Sequence, residues 1–425
     1  MHSMILQFHC FTIFSLLLTA NQVSAQDSSP AKDSPEVPAS YWFTGFPSIE
    51  ATINGEKMVC FIGTAISSHH IDKSKAGVLE GAARNGQSAT FTARGLDGDD
   101  SLVTEILDTF SDVTVVTAGM QKEHQEFSIG NLSIMSSFIS AAPDAILGTD
   151  LMKSKVMLLR HQNSDLHVVW KERDAYQPEV SFQRFEMRRN ANRIHEVEVE
   201  LPVLGTRRFL PQTTGNECLT ITTDMAGMLL RSNAAVYGDA SSRRSVDGLK
   251  VAETLIIRNV TVFGTTFENV PAQISGLGLN TVGMDLLRFF DLDFDVDGEV
   301  IFARLLQPEK PRILGRRSIP FSIRFLSASK VVVEISEINA QRFDRKIKNG
   351  DELLECHGQV ANRLSYWDLM DLLSTNGRAW KCRLRNENGI FDVNVEPNTE
   401  MSPANDDAFR SADLKANAFL ESLRQ

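Results

Sequence analysis

Two stretches of this chain share one layout. They are Phe61-Ile62-Gly63-Thr64-Ala65-Ile66-Ser67-Ser68 and Phe209-Leu210-Pro211-Gln212-Thr213-Thr214-Gly215-Asn216. Each follows a strand-like run and a tight turn, at Asn54-Gly55 and at Leu204-Gly205. Each is echoed downstream by a second shared pattern, Ala145-Ile146-Leu147-Gly148-Thr149-Asp150-Leu151-Met152 and Thr281-Val282-Gly283-Met284-Asp285-Leu286-Leu287-Arg288. One chemistry open to a pair of loops is general acid–base work by carboxylates that face each other. Two facing carboxylates share one proton, because like charges at that distance cannot both ionise; one then takes a proton from water while the other polarises a carbonyl. Neither loop carries such a carboxylate. The duplication itself points to two lobes.

Apolar-apolar-x-Asp-Thr-Gly-Ala/Ser, followed later by apolar-apolar-Gly-x-Asp, is the pattern of an aspartic protease lobe. Over residues 46–306 the chain resembles the retropepsin and pepsin group. The resemblance implies two β-barrel lobes facing each other, each lobe of that family supplying one catalytic Asp. It places the Asp position on Gly63 and on Thr213, and puts Thr64, Ala65, Thr214 and Gly215 in the loops of the substrate cleft. Ala65 stands where the family has Gly. The late-motif residues Gly148, Asp150, Gly283 and Asp285 are expected to support each lobe's helix, the two aspartates by capping it. Gly63 has no side chain to offer, and the Thr213 hydroxyl has far too high a pKa to serve as a base near neutral pH. No catalytic residue is therefore expected at either position, and the loss of general acid–base help alone costs about 100- to 10,000-fold in rate.

A competing segment is Ile106-Leu107-Asp108-Thr109-Phe110-Ser111-Asp112-Val113, where Asp108 precedes a Thr. Spacing argues against it. Gly63 lies 85 positions before Gly148 and Thr213 lies 70 before Gly283, whereas Asp108 lies only 40 before Gly148. That interval must hold a flap hairpin and two strands of roughly five to six residues each. Phe110 would also take the tight-turn glycine position. If the chain is an active aspartic endopeptidase, Asp108 is the candidate catalytic residue.

Other chemistry finds less support. His69-His70, His161 and His167 lack a ligand-spaced partner set and are expected to be surface or packing histidines, with no metal bound. No Gly-rich phosphate loop and no Gly-x-Ser-x-Gly elbow is present. No cofactor is expected. Net charge is −11, from 54 acidic against 43 basic side chains, which argues against a nucleic-acid partner. Asn131-Leu132-Ser133 and Asn259-Val260-Thr261 match glycosylation acceptors.

The elements that would position these residues can be read from pattern. Phe11 to Ala20 is apolar and Val23-Ser24-Ala25 is a small-x-small site, so residues 1–25 read as a signal peptide and the protein as exported, periplasmic or extracellular. No Lys or Arg precedes the apolar core. No other stretch is long enough to be a transmembrane helix. Residues 26–45, rich in Ser, Pro, Asp and Ala, read as a flexible leader. Lobe one covers 46–170, a linker 171–193 and lobe two 194–306. Ile49 to Ile53, Met58 to Ile62, Leu132 to Ile139, Val197 to Leu201, Leu255 to Phe263 and Glu299 to Phe302 read as strands, Gly77 to Asp100 as poorly periodic, and Met284 to Arg288 as lobe two's one short helix.

Residues 317–396 form a third module. Lys348-Asn349-Gly350-Asp351-Glu352-Leu353-Leu354 resembles a PDZ run, followed by a turn at His357-Gly358, a helix over Tyr366 to Leu373 and strands over Trp380 to Arg385 and Phe391 to Val395. The resemblance implies a β/α fold that captures a peptide beside a sheet edge, near Ile319, Phe321 and Ile323. Pro320 cannot donate an N–H there. Residues 397–425 read as a frayed tail. Cys356 and Cys382 both fall in strand-like runs and can face each other; with Cys60 and Cys218 they match no metal pattern, and buried free thiols are expected.

The fold class expected is thus mainly β: two aspartic-protease-like β-barrel lobes and a PDZ-like domain. The leading functional expectation is an exported pseudoprotease that binds extended polypeptide through its cleft and its PDZ-like domain. The alternatives are the active endopeptidase and a structural envelope scaffold.

Overall fold

The structure is a computed structural model. It describes residues 37–39, 46–93, 103–117, 120–130, 132, 143–162, 165–190, 194–215, 217–238, 241–245, 248–252, 254–275, 279–307, 321–327, 330–335, 340–341, 343, 346–374 and 380–395. The expected signal peptide and tail, the glycosylation acceptor Asn131, Ile319, Pro320 and most of the strand expected over Leu132 to Ile139 lie outside these residues.

Strand β1 (Val37–Ala39) precedes lobe one. The lobe is built from β2 (Ser48–Ile53), β3 (Glu56–Ile62), β4 (His69–Asp72), β5 (Ala83–Ala93), β6 (Val103–Thr117), β7 (Met120–Gly130) and β8 (Ala145–Leu147). Asn54 and Gly55 both take positive φ (46° and 90°), the turn that lets β2 and β3 twist together as a two-residue hairpin. The strands pair in the order β2-β3-β8-β4-β7-β6, and β6 returns to β2 through Thr52↔Val116 and Ile53↔Val115. A six-stranded sheet is thereby closed into a barrel around Ile49, Ile53, Phe61, Ile71 and Phe127, all nearly inaccessible. Strand β5 hangs outside the ring from β6, in the stretch expected to be poorly periodic.

β9 (Lys155–Gln162) and β10 (Asp165–Glu172) leave lobe one as a hairpin. β11 (Gln183–Glu186) and β12 (Arg188–Arg189) follow. Lobe two comprises β13 (His195–Leu201), β14 (Gly205–Gln212), β15 (Leu219–Thr222), helix α1 (Thr223–Arg231), β16 (Ala235–Tyr237), the hairpin β17 (Ser241–Ser245) and β18 (Gly248–Ala252), β19 (Thr254–Val262), β20 (Thr265–Ser275), β21 (Thr281–Gly283), helix α2 (Met284–Leu287), β22 (Phe290–Asp295) and β23 (Val300–Leu305). Its ring runs β13-β14-β21-β15-β20-β19 and closes through Val199↔Val262. Each step repeats lobe one in order and direction. β3–β8 and β14–β21 are parallel, as are β4–β7 and β15–β20. The mainly-β, two-barrel architecture expected from the duplicated motif is what the chain adopts.

Four expectations need correction. Val37–Ala39, placed in a flexible leader, pairs with β10. The stretch expected only to link the lobes supplies β11, which pairs with β23, and β12, which pairs with β13; an extended chain passing an open edge satisfies its own backbone groups by joining the sheet. Gly77 to Asp100 contains the long strand β5. Lobe two has a second helix, α1, whose N-cap Thr222 accepts a hydrogen bond from the Met225 N–H and which buries Ala226, Leu229 and Leu230.

The lobes are fused by a sheet of their own, ordered β1-β10-β9-β22-β23-β11. At its centre Met157, Leu158 and Leu159 of β9 pair with Phe294, Asp293 and Leu292 of β22. Asp293 is fully buried and is held by Arg160 and by the Tyr176 hydroxyl, 2.5 Å away. Burial raises its pKa against the pull of those partners.

The C-terminal module is β24 (Ser322–Ser327), β25 (Lys330–Glu334), β26 (Glu352–Cys356), β27 (Gln359–Val360), helix α3 (Tyr366–Ser374), β28 (Trp380–Asn386) and β29 (Gly389–Val395). The sheet order is β24-β25-β26-β28-β29, with β27 on β26. The module packs onto lobe two. Arg288 donates two bonds to Asp371 of α3 (2.9 and 2.7 Å), and its guanidinium stacks 4.7 Å from the Trp367 ring centre. Among the described residues no helix is long and apolar enough to cross a membrane.

Candidate functional site

The two early-motif loops meet at the interface of the barrels. The Thr64 hydroxyl donates to the Pro211 carbonyl at 2.5 Å, and the Thr213 hydroxyl donates to the Ile62 carbonyl at 2.5 Å. Each oxygen then accepts the other residue's N–H at 3.2 Å. Each hydroxyl has a single proton and spends it on a carbonyl, so the 3.2 Å between the two oxygens is close approach rather than a further bond. Both side chains are buried. The bonds are mutual, as across a local twofold axis.

This symmetry makes Thr213 the counterpart of Thr64. Backbone register agrees. β3 pairs Ile62 with Leu147, one residue before Gly148, and β14 pairs Pro211 with Val282, one residue before Gly283. The Thr149 N–H donates to the Ile66 carbonyl and the Met284 N–H to that of Gly215. The position equivalent to Gly63 is therefore Gln212, and the assignment of lobe two's Asp position to Thr213 is displaced by one residue. Two adjacent threonines allowed either frame in the sequence. The interlobe bonds select Thr213, because it alone reaches the opposite backbone. Thr214 is partly exposed one residue further on.

What fills the two equivalent positions differs, and in a complementary way. A Cβ on Gly63 would lie 2.7 and 2.8 Å from Cγ1 and Cδ1 of Ile66, so an apolar side chain already occupies that space. In lobe two the counterpart of Ile66 is Gly215. There a Cβ would lie 2.6 Å from Glu217 Oε1 and 3.1 Å from Gln212 Cδ. Lobe one has the small residue first and the large one three later; lobe two reverses them. Glu217 is buried and accepts from the Thr281 and Thr220 hydroxyls at 3.3 and 3.4 Å. Sequence reasoning missed Gln212, Glu217 and Ile66; the late-motif register was the signal that could have found them. Ala65 is buried with Ile194 and Leu210 of lobe two and so helps seal the lobes together.

Gly148 and Gly283 are held to glycine by the same close approach. A Cβ would lie 2.3 Å from the Ser68 carbonyl oxygen and 2.4 Å from that of Glu217, respectively. Asp150 and Asp285 do not cap as expected: the N-cap residues of their turns are Gly148 and Gly283, with no side-chain cap bond. Asp150 pairs instead with Lys153 at 2.9 Å on the surface, and buried Asp285 lies 3.3 Å from Arg288 Nε and accepts from the Cys218 thiol at 3.0 Å.

Asp108 takes no place at the interlobe loops. It lies on the β5–β6 hairpin, 43% exposed, with its carboxylate 2.7 Å from Arg84. His69 and His70 are buried on β4. Nδ1 of His69 accepts the Gly148 N–H at 3.0 Å and its Nε2 lies 3.1 Å from Gln125 Oε1, an arrangement for the neutral ring. Burial lowers the pKa of both histidines. Of the residues expected to meet a peptide in the third module, Phe321 and Ile323 are buried in the core, with Phe325 on the same face of β24. They are not on a groove surface.

No protein-family model matches the chain, and no curated protein does. Among solved structures, the chain is similar to the aspartic proteinase from Irpex lacteus at 11% identity and a TM-score of 0.41, over 64% of this chain and 98% of that one.

Proposed function

We propose that this chain is an aspartic-protease-like protein without proteolytic activity, which binds extended polypeptide in the cleft between its barrels. The observation that carries the reading is at the paired loops. The threonines that join the lobes are in place, while the preceding positions hold Gly63, packed under Ile66, and Gln212. A carboxamide has no ionisable proton to exchange at ordinary pH, and a glycine has nothing to exchange. A cleft that keeps its frame and has lost its acids retains main-chain hydrogen bonding to a bound strand and loses the activated water.

The reading extends to the third module, which we take as PDZ-like and as a second contact for the same polypeptide. Two modest sites on one chain gain affinity through effective concentration. The apolar run before Val23-Ser24-Ala25 supports export. The Asp108 reading is disfavoured because Arg84 already engages that carboxylate at the hairpin surface.

The test is digestion of casein and of a peptide library by the purified protein between pH 3 and 7, with and without pepstatin. No turnover above the blank is expected. Pepstatin-sensitive cleavage would overturn the reading, and loss of that cleavage in Asp108→Asn would assign it to Asp108.

A further inference from the structure

The C-terminal sheet places Cys356 of β26 directly opposite Cys382 of β28. The adjacent pair is hydrogen-bonded, with the His357 N–H donating to the Lys381 carbonyl at 3.1 Å. Cys356 and Cys382 therefore form the alternate, non-hydrogen-bonded kind of pair, in which the strands hold their side chains closest. In such pairs the Cα atoms lie about 4.5 Å apart, within the roughly 4.4–6.8 Å that a disulfide spans. The sulfurs are already 3.9 Å apart, in contact, and both residues are 0% exposed. Among the described residues no rival partner competes: Cys60 sits in the lobe-one barrel and Cys218 is turned toward Asp285 in lobe two. Among the described residues no disulfide joins any of the four cysteines.

We propose that Cys356 and Cys382 are a disulfide site, closed when the protein meets a disulfide-bearing oxidant such as oxidised glutathione or a thiol–disulfide oxidoreductase. One cysteine thiolate attacks the oxidant's disulfide and releases one thiol. The second thiolate attacks the resulting mixed disulfide and releases the other. The protein loses two protons and two electrons, and the oxidant is reduced to two thiols. Burial confines the first step to folding or to a local opening of the sheet.

The bond would have a mechanical role. The segment it closes, residues 357–381, carries α3, and α3 supplies the Trp367 and Asp371 that grip Arg288 of lobe two. Joining Cys356 to Cys382 fixes both ends of that docking segment to neighbouring strands. This holds whatever the cleft binds.

The test uses the unmutated full chain. Reduced protein is equilibrated with oxidised glutathione, quenched in acid, denatured, alkylated with a maleimide and mapped by mass spectrometry. Cys356 and Cys382 should escape alkylation until a reductant is added, and should appear as one linked peptide pair, while Cys60 and Cys218 alkylate throughout. The oxidised form should also melt at a higher temperature than the reduced form. Alkylation of Cys356 and Cys382 without reductant, or linkage of either to Cys60 or Cys218, overturns the proposal.

Discussion

Thr64 and Thr213 each reach across the lobe boundary to the backbone of the other's loop, so that each hydroxyl satisfies one carbonyl and one N–H of the opposite barrel. Neither barrel completes its own loop without the other.

Removing one of these hydroxyls should therefore be expensive. Thr64→Val leaves the Pro211 carbonyl and the Thr213 N–H buried without their partner, at about 1–3 kcal/mol for each orphaned group. Thr64→Ser keeps the oxygen and should cost far less. Urea unfolding checks this, and a Thr64→Val/Thr213→Val cycle should show non-additivity, since the two side chains are in contact and each hydroxyl accepts the other residue's N–H. Additive losses would mean that the loops are held by something else.

The space above Gly63 is taken, so restoring an acid there is a packing problem before it is a chemical one. Gly63→Asp should destabilise the protein by about 1–3 kcal/mol through overpacking against Ile66. Ile66→Ser in the same chain should recover part of the loss. Thermal unfolding of the parent and the two variants decides; a Gly63→Asp protein as stable as the parent would show that Ile66 gives way freely.

Acid should weaken the fold before its carboxylates titrate. Burial lowers the pKa of His69, His70 and His195, and the last accepts a bond from Arg189 Nε at 3.0 Å. The unfolded chain, with histidines near 6.5, takes up protons before the folded one does. Stability is thus complete above about pH 6.5 and declines as pH falls below it, by at most about 4 kcal/mol per pH unit for three such groups. Urea midpoints from pH 7.5 down to 5 should fall, and His195→Asn should flatten the slope. A midpoint constant over that range contradicts the assignment.

Arg288 is the contact between lobe two and the third module most open to test. Its partner Asp371 is half exposed, so the ion pair contributes only about 1 kcal/mol. Stacking on Trp367 adds roughly 0.5–2 kcal/mol. Arg288→Ala should loosen the docking, separating one calorimetric transition into two and raising protease sensitivity after residue 306. Asp371→Ala should do less. Equal effects would place the weight on the ion pair.

What the sequence revealed follows from how strictly geometry constrains each residue. Gly148 and Gly283 were legible because a carbonyl oxygen lies where a side chain would begin. The Asn54-Gly55 hairpin was legible because few other residues take two positive φ angles in succession. The frame of the second loop was not, since Thr213 and Thr214 are identical in type and only the folded structure separates them, through the pairing of Pro211 with Val282 and the interlobe bonds of Thr213. Helix α1 was hidden by Gly227 and by threonines at its start, whose weak helical preference the packing of Leu229 and Leu230 overrides. Among the described residues β5 pairs only with β6 and lies outside the ring, so the barrel does not hold it to inward–outward alternation.

The sheet shared by the lobes has a bearing on how the protein is made. β9 is complete soon after lobe one has been synthesised, but its neighbour β22 comes some 130 residues later. Until then the half-made molecule presents β9 as an unpaired edge, the kind of surface that recruits other strands and promotes aggregation. Nascent chains of this protein should therefore depend on a holding chaperone through the second half of translation, and a fragment ending at residue 193 should be insoluble even though its own barrel is closed.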